Sequence, residues 1–223
     1  MSSQLPKISV VTPTFNRCDE LVHLIHSINN QTLDSKYYEL IICDDGSNDG
    51  TEQIIKGLLK NNHFNLKYVF QQNSGPGYAR NNGVKNAKGE LIVFTDSDCE
   101  ADRNWLRNIY NSYLNENFDA FGGPDLAKDD FSPMQRAINY SMSSFFTTGG
   151  IRGHNQNMLT TFYPRTHNMG VKKDLFLSLG GFCNMRFGED IELSNRVHKE
   201  GVKVKLLNDV IVYHRRRTNY LKF

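Results

Sequence analysis

The sequence predicts an α/β protein with a mostly parallel central sheet flanked by helices. Three observations predict it. Apolar or β-branched runs alternate with segments of helical apolar spacing through the first half of the chain. The run Leu40-Ile41-Ile42-Cys43 is apolar without alternation, as in a strand covered on both faces. Acid clusters follow two of the strands, Asp44-Asp45 and Asp96-Ser97-Asp98, and the carboxyl ends of strands are where such sheets bind ligands.

The elements follow in order. Ile8 to Val11 reads as the first strand, broken by Pro13. Leu21, Leu24, Ile25 and Ile28 keep the i, i+3, i+4, i+7 spacing of one helix face. Glu39 to Cys43 is the second strand. Asp49, with Glu52 three residues on, reads as the N-cap of the next helix. Leu66 to Phe70 is the third strand, Gly75-Pro76-Gly77 leads into a helix from Tyr78 to Ala87, and Leu91 to Thr95 is the fourth strand. This βαβαβαβ order implies parallel pairing through right-handed crossovers. The second half is less regular. Trp105, Leu106, Ile109, Tyr110 and Tyr113 mark a helix, Asp119 to Gly123 a short strand, and Ser132 to Phe146 a helix. Thr147 to Tyr163 is rich in Gly, Asn and Thr and reads as a long loop, functional or mobile. A strand over His167 to Val171, helices over Lys173 to Leu179 and from Glu189 to Lys199, and strands over Val202 to Leu206 and Val210 to Tyr213 complete the reading.

With 223 residues, 39% of them apolar, the chain is long enough for one large α/β domain or two small ones. A net charge of +2 gives no basic field for nucleic acid. No apolar run approaches the roughly 20 residues of a membrane span, and Met1 to Lys7 lacks a signal-peptide core. Cys18, Cys43, Cys99 and Cys183 are far apart and read as free thiols in a reducing compartment.

Paired acids closing a buried strand are not explained by hydrophobic logic, because like charges repel unless a cation neutralises them. A divalent metal carrying a phosphorylated ligand would do so; a solvated Asp/Ser turn is the plainer alternative. Asp96 and Asp98 are the candidate ligands of Mg²⁺ or Mn²⁺, and Asp96 is an alternative acceptor for ribose hydroxyls. Arg80 follows a glycine-rich turn and could reach a base or phosphate, and Asp45 could accept from a base N–H. Taken alone, Arg80 reads equally well as a solvated helix arginine and Asp45 as a turn acid. Glu189-Asp190 is either ordinary helix N-terminal acid or a source of general base. His214 closes a late strand and is a third candidate metal ligand.

Six segments carry a resemblance: Val10-Val11-Thr12-Pro13-Thr14-Phe15-Asn16-Arg17, the run Ile42 to Thr51, Gly75 to Gly83, Phe94-Thr95-Asp96-Ser97-Asp98-Cys99, Gly180-Gly181-Phe182 and Gly188 to Leu193. In this order, spread from residue 8 to about residue 214, they resemble family-2 glycosyltransferases of the GT-A fold. The resemblance implies one domain, residues 1–223, with a nucleotide-sugar half to about 102, an acceptor half after it, and a smaller antiparallel element on the acceptor side. It implies an inverting, metal-dependent transfer of one sugar from a nucleotide-diphosphate sugar to a glycan or lipid-linked acceptor hydroxyl, in polysaccharide or glycoconjugate synthesis. By position, Thr12, Pro13, Thr14, Asn16, Arg17, Asp45, Arg80, Asp96, Ser97 and Asp98 would bind donor, Asp96, Asp98 and His214 the Mn²⁺ or Mg²⁺, and Asp190 would be the base. His214 matches a metal-binding histidine found in some members only. The Gln-x-x-Arg-Trp motif of processive synthases is absent, which favours single-sugar transfer.

The rivals fare worse. A dehydrogenase would carry Gly-x-Gly-x-x-Gly after the first strand, and a nucleotidyltransferase a basic Gly-rich loop there. A non-catalytic sugar-nucleotide module could keep the Asp-x-Asp pair but need not keep Asp190. Arg215-Arg216-Arg217, followed by Tyr220 and Phe223, reads as membrane-surface contact or equally as a solvated basic tail. The expected place is the cytoplasm, at the inner face of the membrane if that contact holds.

Overall fold

The computed structural model describes residues 6–59, 63–128, 131–143, 162–185 and 187–215. Strands β1 (Ile8–Thr14), β2 (Tyr38–Asp44), β3 (Asn65–Phe70) and β4 (Leu91–Phe94) pair in parallel in the order β3-β2-β1-β4. Helices α1 (Cys18–Asn29), α2 (Thr51–Leu59) and α3 (Pro76–Asn86) form the crossovers. Then come β5 (Cys99–Ala101), α4 (Trp105–Asn115), β6 (Ala120–Gly122), β7 (Asp125–Leu126) and α5 (Pro133–Ser143). Strand β8 (Met169–Lys172), α6 (Lys173–Ser178), α7 (Glu189–Lys199), β9 (Val204–Leu206) and β10 (Val212–His214) follow. The main sheet grows to seven strands, β3-β2-β1-β4-β8-β6-β9, with β8 antiparallel to β4 and to β6. This is the expected α/β architecture.

Alternation along the strands splits the core in two. Val10, Leu40, Ile42 and Val93 pack with Leu21, Leu24, Ile25 and Ile28 of α1 and Trp105 of α4. Val11, Ile41, Cys43 and Phe94 turn to the other face and pack with Ala79, Val84, Phe176, Phe182 and Leu193. Helix α3 lies close because Gly83 has no side chain: a Cβ there would meet Cys43 Sγ at 2.4 Å and Val11 Cγ1 at 2.5 Å. The four cysteines are free, and burial pushes the Cys43 thiol up to about 12.

Three expectations are corrected. Strand β1 runs through Pro13 to Thr14, because β4 stops pairing at Val11 and a residue lacking an N–H is tolerated on the open side. The smaller sheet, β5-β10-β7, is mixed: β10 is antiparallel to β5 but parallel to β7. Both β5 and β7 went unread, being too short, at three and two residues, to show a period. The loop read over Thr147 to Tyr163 and the end of the helix read to Phe146 lie mostly outside the described residues. Asn168 joins the two sheets: its Oδ1 accepts from Trp105 Nε1 (3.0 Å) and its Nδ2 donates to the carbonyls of Pro124 (3.0 Å) and Val210 (2.7 Å).

Candidate active site

A cleft of about 600 Å³ opens at the carboxyl ends of β1, β2 and β4. Its lining includes Pro13, Thr14, Arg17, Asp45, Arg80, Asp96, Ser97 and Asp98, with Phe15 and Phe187 as exposed aromatic residues and Glu189 from α7. Thus eight of the ten expected donor residues share one cavity. Thr12 is fully buried in β1 and does not line it. Asn16 lies beside it and ties two loops together: its backbone N–H donates to Ser47 Oγ (2.9 Å), and its Oδ1 accepts from Asn48 N–H (2.8 Å). Its φ of 51° is a left-handed conformation that Asn tolerates better than most residues.

The loops are shaped by carboxylates that accept from main-chain amides. Asp45 Oδ1 accepts from Gln71 Nε2 (2.7 Å) and Ser74 N–H (2.9 Å), and its Oδ2 from Gly75 N–H (2.8 Å). Asp45 therefore builds the turn into α3, and only its remaining lone pairs can read a base. Asp49 accepts from Thr51 N–H at the start of α2 (3.2 Å), as expected of a cap, and also from Cys18 N–H at the start of α1 (2.9 Å).

The Asp-x-Asp carboxylates are each met by an arginine. Arg17 Nη1 contacts Asp98 Oδ2, and Arg80 Nη2 contacts Asp96 Oδ1 at 2.7 Å. Arg80 also holds Glu189 Oε1 through Nη1 at 2.9 Å, while its buried Nε has no hydrogen-bond partner. His214 Nε2 stands 3.2 Å from Asp98 Oδ1. Burial opposes the charge on Asp98, but His214 and Arg17 outweigh it and hold the carboxyl well below the usual range. Asp98, Cys99 and His214 offer donor atoms within 4.8 Å of one another. Burial and the neighbouring Asp charges push the Cys99 thiol well up, so it stays protonated and is a poor ligand. The carboxylates and imidazole that remain suit Mg²⁺ or Mn²⁺.

Gly188, at φ 78°, is the left-handed residue that launches α7 and presents the two acids of its first turn. Glu189 faces the cleft; Asp190 does not line it. Asp190 Oδ2 accepts from Arg165 Nε at 2.5 Å and its Oδ1 from Ile191 N–H at 2.8 Å. Sequence reading missed Arg165, and it missed Asp125 and His167 beside His214, because nothing local marks them. Arg215 is turned onto Glu100 (2.6 Å) and stacks on Phe131, so its charge is spent within the fold; Arg216 and Arg217 lie outside the described residues. No helix among the described residues is long and apolar enough to cross a membrane.

This sheet, with its cleft at the strand ends, is the GT-A architecture. Glycosyl transferase family 2 matches over residues 9–180, and the chain belongs to that family. It is 25% identical over 216 residues to glycosyltransferase AglE of Haloferax volcanii, covering 96% of this chain and 68% of that protein. It is 43% identical over 98 residues to the GalNAc(5)-diNAcBac-PP-undecaprenol beta-1,3-glucosyltransferase of Campylobacter jejuni, covering 43% of this chain and 31% of the other. Among solved structures, the mannosyltransferase PcManGT of Pyrobaculum calidifontis in complex with GDP-Man and Mn²⁺ superposes with a TM-score of 0.75 at 19% identity, covering 98% of this chain and 59% of that one. TarS 1–349 of S. aureus in complex with UDP superposes with a TM-score of 0.72 at 22% identity, over 93% and 60% respectively. The chain therefore spans about three fifths of these solved structures.

Proposed function

We propose that this domain transfers one sugar, with inversion, from a nucleotide-diphosphate sugar to a hydroxyl of a glycan or lipid-linked saccharide. The observation that carries the reading is Asp98, set between Arg17 and His214 in the same cleft as Asp45, Arg80 and Asp96. The relatives add support: one is named for an undecaprenol-linked substrate, and solved neighbours hold UDP, UDP-GlcNAc or GDP-Man with Mn²⁺. Residues 1–102 supply the donor loops, and residues 103–223 supply α7 and His214.

Asp96, Asp98 and His214 would hold a Mn²⁺ or Mg²⁺ ion, which when bound neutralises charge on the departing nucleoside diphosphate. Arg17 and Arg80, now paired with the two aspartates, are placed to follow the diphosphate. Pro13, Thr14, Asn16 and Asp45 shape the nucleoside pocket and Ser97 its floor. Asp190 accepts the proton of the acceptor hydroxyl as that oxygen attacks the anomeric carbon. Its Oδ2 must first be released by Arg165, so acceptor entry and the loosening of that pair go together. A lipid-linked acceptor would place the enzyme at the inner membrane face. Assaying transfer from UDP-, GDP- and dTDP-sugars to lipid-linked saccharides tests this: metal-dependent product of inverted configuration is expected, and a retained configuration would overturn the inverting reading.

A further inference from the structure

The shell around His214 carries an assignment that neither the family match nor the motifs supply. His214 presents Nε2 toward Asp98, and its Nδ1 lies 3.6 Å from Oδ2 of Asp125. Asp125 is only 5% exposed, and its Oδ1 lies 3.5 Å from His167 Nε2. The two imidazoles are 5.7 Å apart at a tilt of 34°, with the carboxylate in reach of both. The backbone fixes this arrangement. Asp125 pairs with Val212 across β7 and β10, and His214 is two residues further on, hence on the same face. The Pro124 carbonyl just before β7 accepts from both Asn168 Nδ2 (3.0 Å) and Val212 N–H (3.2 Å).

A histidine that ligates a metal generally gives its other ring N–H to a carboxylate, which fixes the tautomer and aims the free lone pair. We propose that Asp125 is the positioning residue of His214, holding Nδ1–H so that the Nε2 lone pair is directed at the cation site shared with Asp98. The inference rests on the reading of His214 as a metal ligand. The separation of 3.6 Å is slightly beyond a hydrogen bond, so the contact shortens when the imidazole is drawn into place.

Titration of the full chain with Mn²⁺, reading free Mn²⁺ by paramagnetic resonance with UDP or GDP present, tests the assignment. Asp125→Asn should weaken Mn²⁺ binding by about 10- to 100-fold, with nucleotide binding in EDTA and the unfolding temperature kept. In a His214→Ala background the same change should alter Mn²⁺ affinity less than about threefold, since its effect runs through the ring. Asp125→Ser serves in the same way if the Asn variant does not fold. Weakened binding in His214→Ala with wild-type affinity in Asp125→Asn overturns the inference and leaves His214 a ligand. Unchanged affinity in both removes His214 and Asp125 together. A full loss that persists without His214 makes Asp125 structural and also overturns the proposal.

Discussion

The donor loops and the catalytic edge of this domain are held together in different ways. In the donor loops, carboxylates and amides accept from main-chain N–H groups: Asp45 from Ser74 and Gly75, Asp49 from Cys18 and Thr51, Asn16 from Asn48. At the catalytic edge, charged side chains from distant segments meet one another: Arg17 with Asp98, Arg80 with Asp96 and Glu189, Arg165 with Asp190. The first arrangement fixes a shape whatever ligand is present. The second is a set of charge pairs that a diphosphate, a cation or an acceptor can exchange. The contrast teaches that the pocket is preformed on one side and exchangeable on the other.

Breaking the exchangeable side gives the largest effect. Asp190→Asn should lower kcat by about 10³-fold while donor affinity stays within about twofold, measured by product formation and calorimetry. Unchanged turnover would remove Asp190 from the role of base. Next in size, Arg80→Gln strips a cation from two carboxylates, leaving Glu189 buried and unpaired, and should cost about 3 kcal/mol in urea unfolding. A loss below about 1 kcal/mol would mean that Asp96 and Glu189 find other partners.

Asp45→Ala sharpens the comparison from the preformed side. It orphans the N–H groups of Ser74 and Gly75 and should cost about 2 kcal/mol, with donor affinity falling in EDTA as well as with Mn²⁺. If affinity fell only with metal present, Asp45 would belong to the exchangeable set.

The smallest effect is on acid stability. Burial of Glu100 works against its charge, but Lys128 and Arg215 together hold its carboxyl below the ordinary value of 4.5. Its contribution is therefore complete above that value and lost as pH falls through the lower folded one. Wild type should lose more stability than Glu100→Gln between about pH 5 and pH 3 in urea melts. Equal losses would show that the pairs around β5 and β10 contribute nothing.

How much was legible in the sequence follows the same division. Leu21, Leu24, Ile25 and Ile28 are the buried positions their spacing indicated, and the fully buried run Leu40 to Cys43 lies in β2 as read. The acids after β2 and β4 share a cleft because parallel strands place their carboxyl ends together. What was not legible depends on long-range contact. Asp125 and His167 reach His214 only through the pairing of β7 with β10 and the turn before β8, elements without periodicity. Arg165 meets Asp190 across 25 positions, and no local pattern announces it. Pro13 looked like a strand breaker because its open side appears only once β4 is known to end early.

The most direct measurement is calorimetric titration of a panel of UDP-, GDP- and dTDP-sugars, with Mn²⁺ and with EDTA, against wild type and Asp98→Ala. One donor class bound tightly with Mn²⁺, weakly in EDTA, and weakly by Asp98→Ala under both conditions is the result this account predicts. Donor binding in Asp98→Ala equal to wild type with Mn²⁺ present would contradict it.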